Sequence, residues 1–153
     1  MFLTALLSER QKMNILIIGP SWVGDMMMSH SLYQQLKIQY PNCNIDVMAP
    51  NWCKSLLARM PEVRKAIEMP LGHRAFELGT RYRLGKSLRE QYDMAIVLPN
   101  SLKSAFIPFF AKIVHRRGWK GESRYILLND LRANKKDYPM MVQRYVALAF
   151  EKD

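Results

Sequence analysis

The chain has 153 residues, 49% of them apolar, and its 23 Lys+Arg against 13 Asp+Glu leave a formal net charge of +10. This excludes a disordered chain, and at this length it also removes any need for a disulfide or metal scaffold, since folding buries roughly two thirds of the unfolded surface. The charge is uneven: residues 54–124 hold fifteen bases against six acids, while 1–53 are balanced and 125–153 carry a net +1, so an anionic partner is expected near the middle of the chain.

Residues 1–7 are apolar but lack a basic leader and stop at Ser8-Glu9-Arg10; with no run of 18 apolar residues, neither a signal peptide nor a membrane span is predicted and the expected location is cytoplasmic. Asn14-Ile15-Leu16-Ile17-Ile18-Gly19 is a continuous β-branched run ending at glycine, the pattern of a strand covered on both faces. After a loop at 20–24, apolar residues at helical spacing predict a helix that ends before Pro41, and Met26, Met27 and Met28 at its start are expected to fill the core. A strand at 44–49, a short helix through Met60 and a strand at 63–69 follow, with Trp52 expected in the core.

A polar helix is predicted between Arg74 and Gln91, weakened by Gly79 and Gly85 at about 1 kcal/mol each. Residues 93–98 form a fourth predicted strand, 101–113 a helix kinked at Pro108, 114–119 a fifth strand, and 139–150 a terminal amphipathic helix. Alternating strands and helices imply an α/β fold, a parallel sheet with helices on both faces, in one domain. In such sheets ligands sit beyond the carboxyl ends of the strands, which directs attention to 19–25, 49–52, 69–74, 99–103 and 115–124.

Gly19 and Gly24 have the spacing of a phosphate-binding loop, but Asp25 and Met26 stand where Lys and Ser/Thr are required, and a carboxylate there repels phosphate. The loop instead offers one carboxylate at a helix start, as a cap that stabilises the helix or as a base that takes a proton. Asn100 and Ser101 can cap the next helix, where Lys103 opposes the helix dipole and suits an anion. His115-Arg116-Arg117-Gly118-Trp119-Lys120 interleaves bases with an aromatic, suiting phosphate, carboxylate or a sugar ring, or else forming a basic strand with Trp119 in the core. His73 and Arg74 follow a Gly turn at the rim. No RNA- or DNA-binding signature accompanies the charge. Cys43 and Cys53 match no metal or redox spacing and read as buried thiols, and the three histidines form no metal motif.

Several of these segments together, Gly19-Pro20-Ser21-Trp22-Val23-Gly24-Asp25-Met26-Met27-Met28-Ser29, Asp46-Val47-Met48-Ala49-Pro50, Met69-Pro70-Leu71-Gly72-His73, Leu98-Pro99-Asn100-Ser101-Leu102-Lys103-Ser104-Ala105, Gly118-Trp119-Lys120-Gly121-Glu122 and Leu127-Leu128-Asn129-Asp130, resemble the N-terminal half of the lipopolysaccharide heptosyltransferase II family. The resemblance implies a Rossmann-like domain over 13–153, the acceptor-binding half of a GT-B glycosyltransferase, with residues 1–12 as an extension and the C-terminal donor domain absent. Such enzymes move L-glycero-D-manno-heptose from ADP-heptose to the first heptose of the lipopolysaccharide inner core, with inversion and without a required metal or other cofactor. It further implies that Asp25 is the catalytic base, that Lys103 binds the anionic acceptor, and that Ser21, Trp22, Asn100, Ser101, Arg116 and Arg117 add acceptor contacts. ADP-heptose would be held mainly by the missing domain, and peripheral contact with the cytoplasmic face of the inner membrane is expected; nucleic acid is not. By this reading the chain alone does not turn over, and the competing reading is a non-catalytic module that binds anionic glycolipid or a membrane surface.

Overall fold

The computed structural model describes residues 13–70 and 76–151; the extension at 1–12, and His73 and Arg74, lie outside the described residues. The elements are β1 (Asn14–Ile18), α1 (Val23–Gln39), β2 (Asn44–Ala49), α2 (Lys54–Leu57), β3 (Val63–Glu68), α3 (Leu78–Ser87), β4 (Met94–Val97), α4 (Phe106–Phe110), β5 (His115–Trp119), β6 (Asp130–Arg132) and α5 (Met141–Ala147). Short 3-10 turns at Asn51–Cys53, Lys103–Ala105 and Lys135–Asp137 join them. The six strands pair in parallel in the order β3-β2-β1-β4-β5-β6.

The apolar run of β1 suits the centre of the sheet, covered on both faces, and Ile15, Leu16 and Ile17 are fully buried. Ile15 and Ile17 join Ile45, Val47 and Ile96 beneath α1, α2 and α5, while Leu16 and Ile18 join Met48, Ala95 and Val97 beneath α3 and α4. Both cysteines are buried and free, and burial pushes their thiols up. Gly85, expected only to weaken α3, is what lets α4 approach it: a Cβ there would stand 2.6 Å from the Phe110 Cβ and 2.8 Å from the Ile107 carbonyl oxygen.

Some expectations are corrected. Helix α3 spans Leu78–Ser87 and α5 Met141–Ala147, both shorter than predicted, and the segment 101–113 divides into a 3-10 turn and the five-residue α4. The strand β6 was not expected. Met26 is buried and Met28 packs against the core, but Met27 is 60% exposed. Trp52 is also exposed, and its Nε1 donates to the Ser21 carbonyl at 2.8 Å, so it braces the first loop from outside.

Candidate active site

From β1 the chain runs outward to β2 and β3, then returns to β4 on the other side of β1. The connections after β1 and β4 therefore leave in opposite directions, opening a crevice between the carboxyl ends of those two strands. Two of the loops singled out in the sequence, 19–25 and 99–103, face each other there.

Two cavities fill the crevice. One, of about 300 Å³, is lined by Ser21, Trp22, Asp25, Asn100, Lys135, Arg144 and Tyr145, with Trp119 at its base. The other, of about 350 Å³, is lined by Ser21, Met69, Arg81, Asn100, Ser101, Lys103, Ser104 and Glu122. Ser21, Pro99 and Asn100 belong to both and form the wall between them.

Trp22, with an extended backbone, is the N-cap of α1, and no side chain caps that helix end. Asp25 stands in the first turn, half-buried, without a hydrogen bond or ion pair to any described residue. It is therefore not the cap, and its lone pairs stay available to a ligand. Tyr145 is pushed up to about 12 by burial and then by the negative charge of Asp25. Lys135 Nζ donates to the Asn100 Oδ1 at 3.2 Å and to the Lys120 carbonyl at 3.3 Å. Burial lowers the Lys135 pKa, as do the charges of Arg144 and Arg124. Because an ammonium only donates, this contact turns the Asn100 amide so that its NH2 points away from Lys135.

The second cavity rests on a buried cation. Arg124 is 1% exposed, and its guanidinium donates to the carbonyls of Pro99 at 2.6 Å and Trp119, with weaker bonds to the Ser101 carbonyl and Ser104 Oγ. It ties the carboxyl ends of β4 and β5 together, and among the described residues it forms no ion pair with a carboxylate and its Nε has no hydrogen-bond partner. Burial lowers its pKa to about 10, with Glu122 opposing. The Glu122 carboxylate accepts from the Leu102 amide at 3.2 Å. Gly121 passes under Asn100 so closely that any Cβ would collide with the Asn100 carbonyl oxygen. Arg124 beneath the cavity, with Lys103 and Arg81 in its lining against the one described carboxylate of Glu122, leaves a net positive field that favours an anion.

The structure thus brings together Asp25, Ser21, Trp22, Asn100, Ser101 and Lys103. Arg116 and Arg117 stand apart. Arg117 is fully buried, with Nε on Asp130 at 2.6 Å and Nη1 on the Leu148 carbonyl at 2.7 Å. Arg116, at the opposite end of β5, donates to the Leu127 and Ile113 carbonyls, both at 2.6 Å. Neither lines the crevice. Lys135, Arg144, Tyr145 and Arg81 were missed by sequence reasoning, since none lies in a motif that announces a ligand, and Glu122, though within the quoted 118–122 segment, was not singled out as a site residue.

Residues 81–153 match the model of glycosyltransferase family 9 (heptosyltransferase). Over 141 residues the chain is 99% identical to lipooligosaccharide heptosyltransferase 2 of Haemophilus influenzae, covering 92% of this chain and 41% of that protein. It is 65% identical over 142 residues to lipopolysaccharide heptosyltransferase 2 of Escherichia coli, again covering 41% of that protein. The solved Escherichia coli ADP-heptose lipopolysaccharide heptosyltransferase II superposes with a TM-score of 0.85 at 60% identity, over 92% of this chain and 41% of that one. An Escherichia coli heptosyltransferase solved with ADP shares the fold, at 18% identity and a TM-score of 0.71. The chain therefore spans about two fifths of the length of the relatives it matches. Its sheet is the Rossmann-like half expected at the N-terminus of a GT-B fold.

Proposed function

Since this chain resembles the N-terminal part of the family 9 glycosyltransferases, the heptosyltransferases, we propose that it is the acceptor half of an enzyme that transfers heptose from ADP-heptose to the first heptose of the lipopolysaccharide inner core. The observation that carries this reading is the Asp25 carboxylate, without a hydrogen bond or ion pair to a described residue, on the wall of a cavity it shares with Lys135, Arg144 and the Asn100 amide.

Asp25 accepts the proton of the acceptor hydroxyl as that oxygen bonds to the anomeric carbon. The bond from that carbon to the diphosphate oxygen breaks on the opposite face, and ADP leaves with the electron pair, so the anomeric centre inverts. Lys103, with Ser101 and Ser104 beside it and Arg124 beneath, holds carboxylate or phosphate groups of the acceptor in the second cavity. Ser21, Trp22 and Asn100 guide the sugar between the two cavities. The donor nucleotide is bound mainly by residues outside this chain. An acceptor carried on lipid A places the enzyme in the cytoplasm, in contact with the inner membrane surface.

The test joins this chain to the remaining C-terminal part of the Haemophilus influenzae relative and measures heptose transfer to an inner-core acceptor. Asp25→Asn is expected to lower kcat by about 10²–10⁴ while the acceptor still binds. Turnover within about threefold of the unsubstituted protein would remove Asp25 as base, and no transfer by the joined, unsubstituted protein would leave a module that only binds anionic glycolipid.

A further inference from the structure

On the sheet face that carries the second cavity, α3 and α4 present a continuous line of aromatic rings. Phe76 meets Phe106 at 5.7 Å, Phe106 stacks on Phe110 at 5.6 Å, and Tyr82 and Phe109 each meet Phe110 edge-on, at 5.3 and 5.8 Å. The line starts at the cavity, where Arg81 donates to the Phe76 carbonyl at 2.6 Å, and ends at the opposite end of the sheet beside Val114. Much of it is open to solvent: Phe76, Leu78, Tyr82 and Phe109 are exposed and Val114 is 81% so. An apolar shallow of about 420 Å³ lies at its lower end, between Arg89, Phe109, Phe110, Lys112, Val114 and Arg116. Soluble surfaces seldom leave so long an apolar stripe uncovered.

The charges beside it are mostly of one sign. Arg83, Lys86, Arg89, Lys112 and Arg116 flank the rings, against Glu77 and Glu90 among the described residues. Arg89 covers the Tyr82 ring and Arg116 the Phe109 ring, at 5.9 and 5.5 Å from the centroids. Exposed aromatics among snorkelling cations match the boundary layer of an anionic bilayer, where rings sit at headgroup depth and Lys and Arg reach lipid phosphates. A nucleic acid would need open ring faces for base stacking, and here Phe106 and Phe110 stack on one another while guanidinium groups lie over Tyr82 and Phe109.

We propose that the α3–α4 face, from Phe76 to Val114, is the surface by which this domain binds an anionic phospholipid membrane. The proposal rests on the reading of a lipid-anchored acceptor, whose cavity opens on the same face. It also gives Arg116, which stands outside the crevice, a ligand in the lipid phosphates.

The test is cosedimentation of the 153-residue chain with acceptor-free vesicles of phosphatidylethanolamine and phosphatidylglycerol at about 3:1, against phosphatidylcholine vesicles. Binding to the anionic vesicles is expected, about tenfold or more weaker on phosphatidylcholine and in about 0.5 M salt. Lys86→Glu with Lys112→Glu should cut it about tenfold or more, and Val114→Glu severalfold, with unchanged thermal melts because all three side chains are exposed; Lys65→Glu on the β3 edge should retain it. No binding to anionic vesicles, an equal loss from Lys65→Glu, no effect of the double variant, or a dimer in light scattering that Val114→Glu dissolves would each overturn the proposal. Since the vesicles contain no acceptor, vesicle binding by this chain together with no heptose transfer by the joined protein would sink the catalytic reading and leave this surface standing.

Discussion

Asp130, at the start of β6, accepts from Arg117 at 2.6 Å, from Arg132 at 2.8 and 3.0 Å, and stands 2.8 Å from His115 Nε2, whereas Asp25 in the crevice has no such partner among the described residues. Asp46 in β2 belongs with the first case, held in bidentate fashion by Arg64 and by the Tyr92 hydroxyl at 2.6 Å. Burying an ionised carboxylate costs several kcal/mol unless its lone pairs are filled. Asp130 and Asp46 meet that cost with cations and hydroxyls and gain a fixed place in the fold. Asp25 keeps lone pairs open, a condition that helps the fold little and serves a ligand. The contrast separates groups that hold the sheet from groups that act on what enters it.

The largest effect that tests this contrast is the loss of about 10²–10⁴ in kcat for Asp25→Asn in the joined protein, measured beside a denaturant curve. The melt should barely move, because no hydrogen bond to a described residue is lost. A destabilisation like that of an Asp130 variant would make Asp25 another structural carboxylate and erase the difference.

Next in size is Asp130→Ala, expected to cost about 3 kcal/mol by leaving the buried Arg117 with only the exposed Glu151 carboxylate and the Leu148 carbonyl as partners. Guanidinium unfolding of this chain reads it directly, and a change under about 1 kcal/mol would show that the cluster contributes no more than an exposed ion pair. The same cluster sets an acid limit. Burial by itself would raise the Asp130 carboxyl; hydrogen bonds from Arg132, His115 and Arg117, with the Arg117 charge, outweigh it and hold it well below the usual range. A depressed native pKa gives stability that is complete above the ordinary carboxyl range and is lost as pH falls through it toward the native value. Unfolding free energy should therefore drop below about pH 4, and the slope there should shrink in Asp130→Asn.

The difference between the two regions also explains what could be read without coordinates. The central strands were legible because β1 and β4 bury both faces and so carry unbroken apolar runs, with β2 broken only at Asp46, and the ligand loops followed from the parallel alternation. Strand β6 was not, since Asp130, Leu131 and Arg132 have no strand-like periodicity; its ends are fixed by the ionic cluster. Arg117 was read as an anion ligand from its basic neighbours, yet it lies two residues before Trp119, and the strand period turns both toward the core. Lys135 and Arg144 reach the crevice only because β6 ends beside β5 and α5 folds back against α1, contacts set by tertiary order.

The smallest effect concerns Lys135, which shares the crevice with Asp25 and donates to Asn100. If crevice cations serve the ligand, Lys135→Met in the joined protein should raise the acceptor KM by about tenfold with kcat nearly unchanged, the loss of one charge-assisted contact, and should leave the melt within about 0.5 kcal/mol. Lys135→Arg should recover part of that affinity by restoring a donor to the Asn100 Oδ1. Because burial and the charges of Arg144 and Arg124 lower the Lys135 pKa, anion affinity should also weaken on the alkaline side at a lower pH than an ordinary lysine allows, and the methionine variant should lose that limb. A melt that collapses in Lys135→Met would move this lysine to the side of Asp130, as a group that holds β5 and β6 in place, and the line between structural and ligand-facing charges would have to be redrawn through the crevice itself.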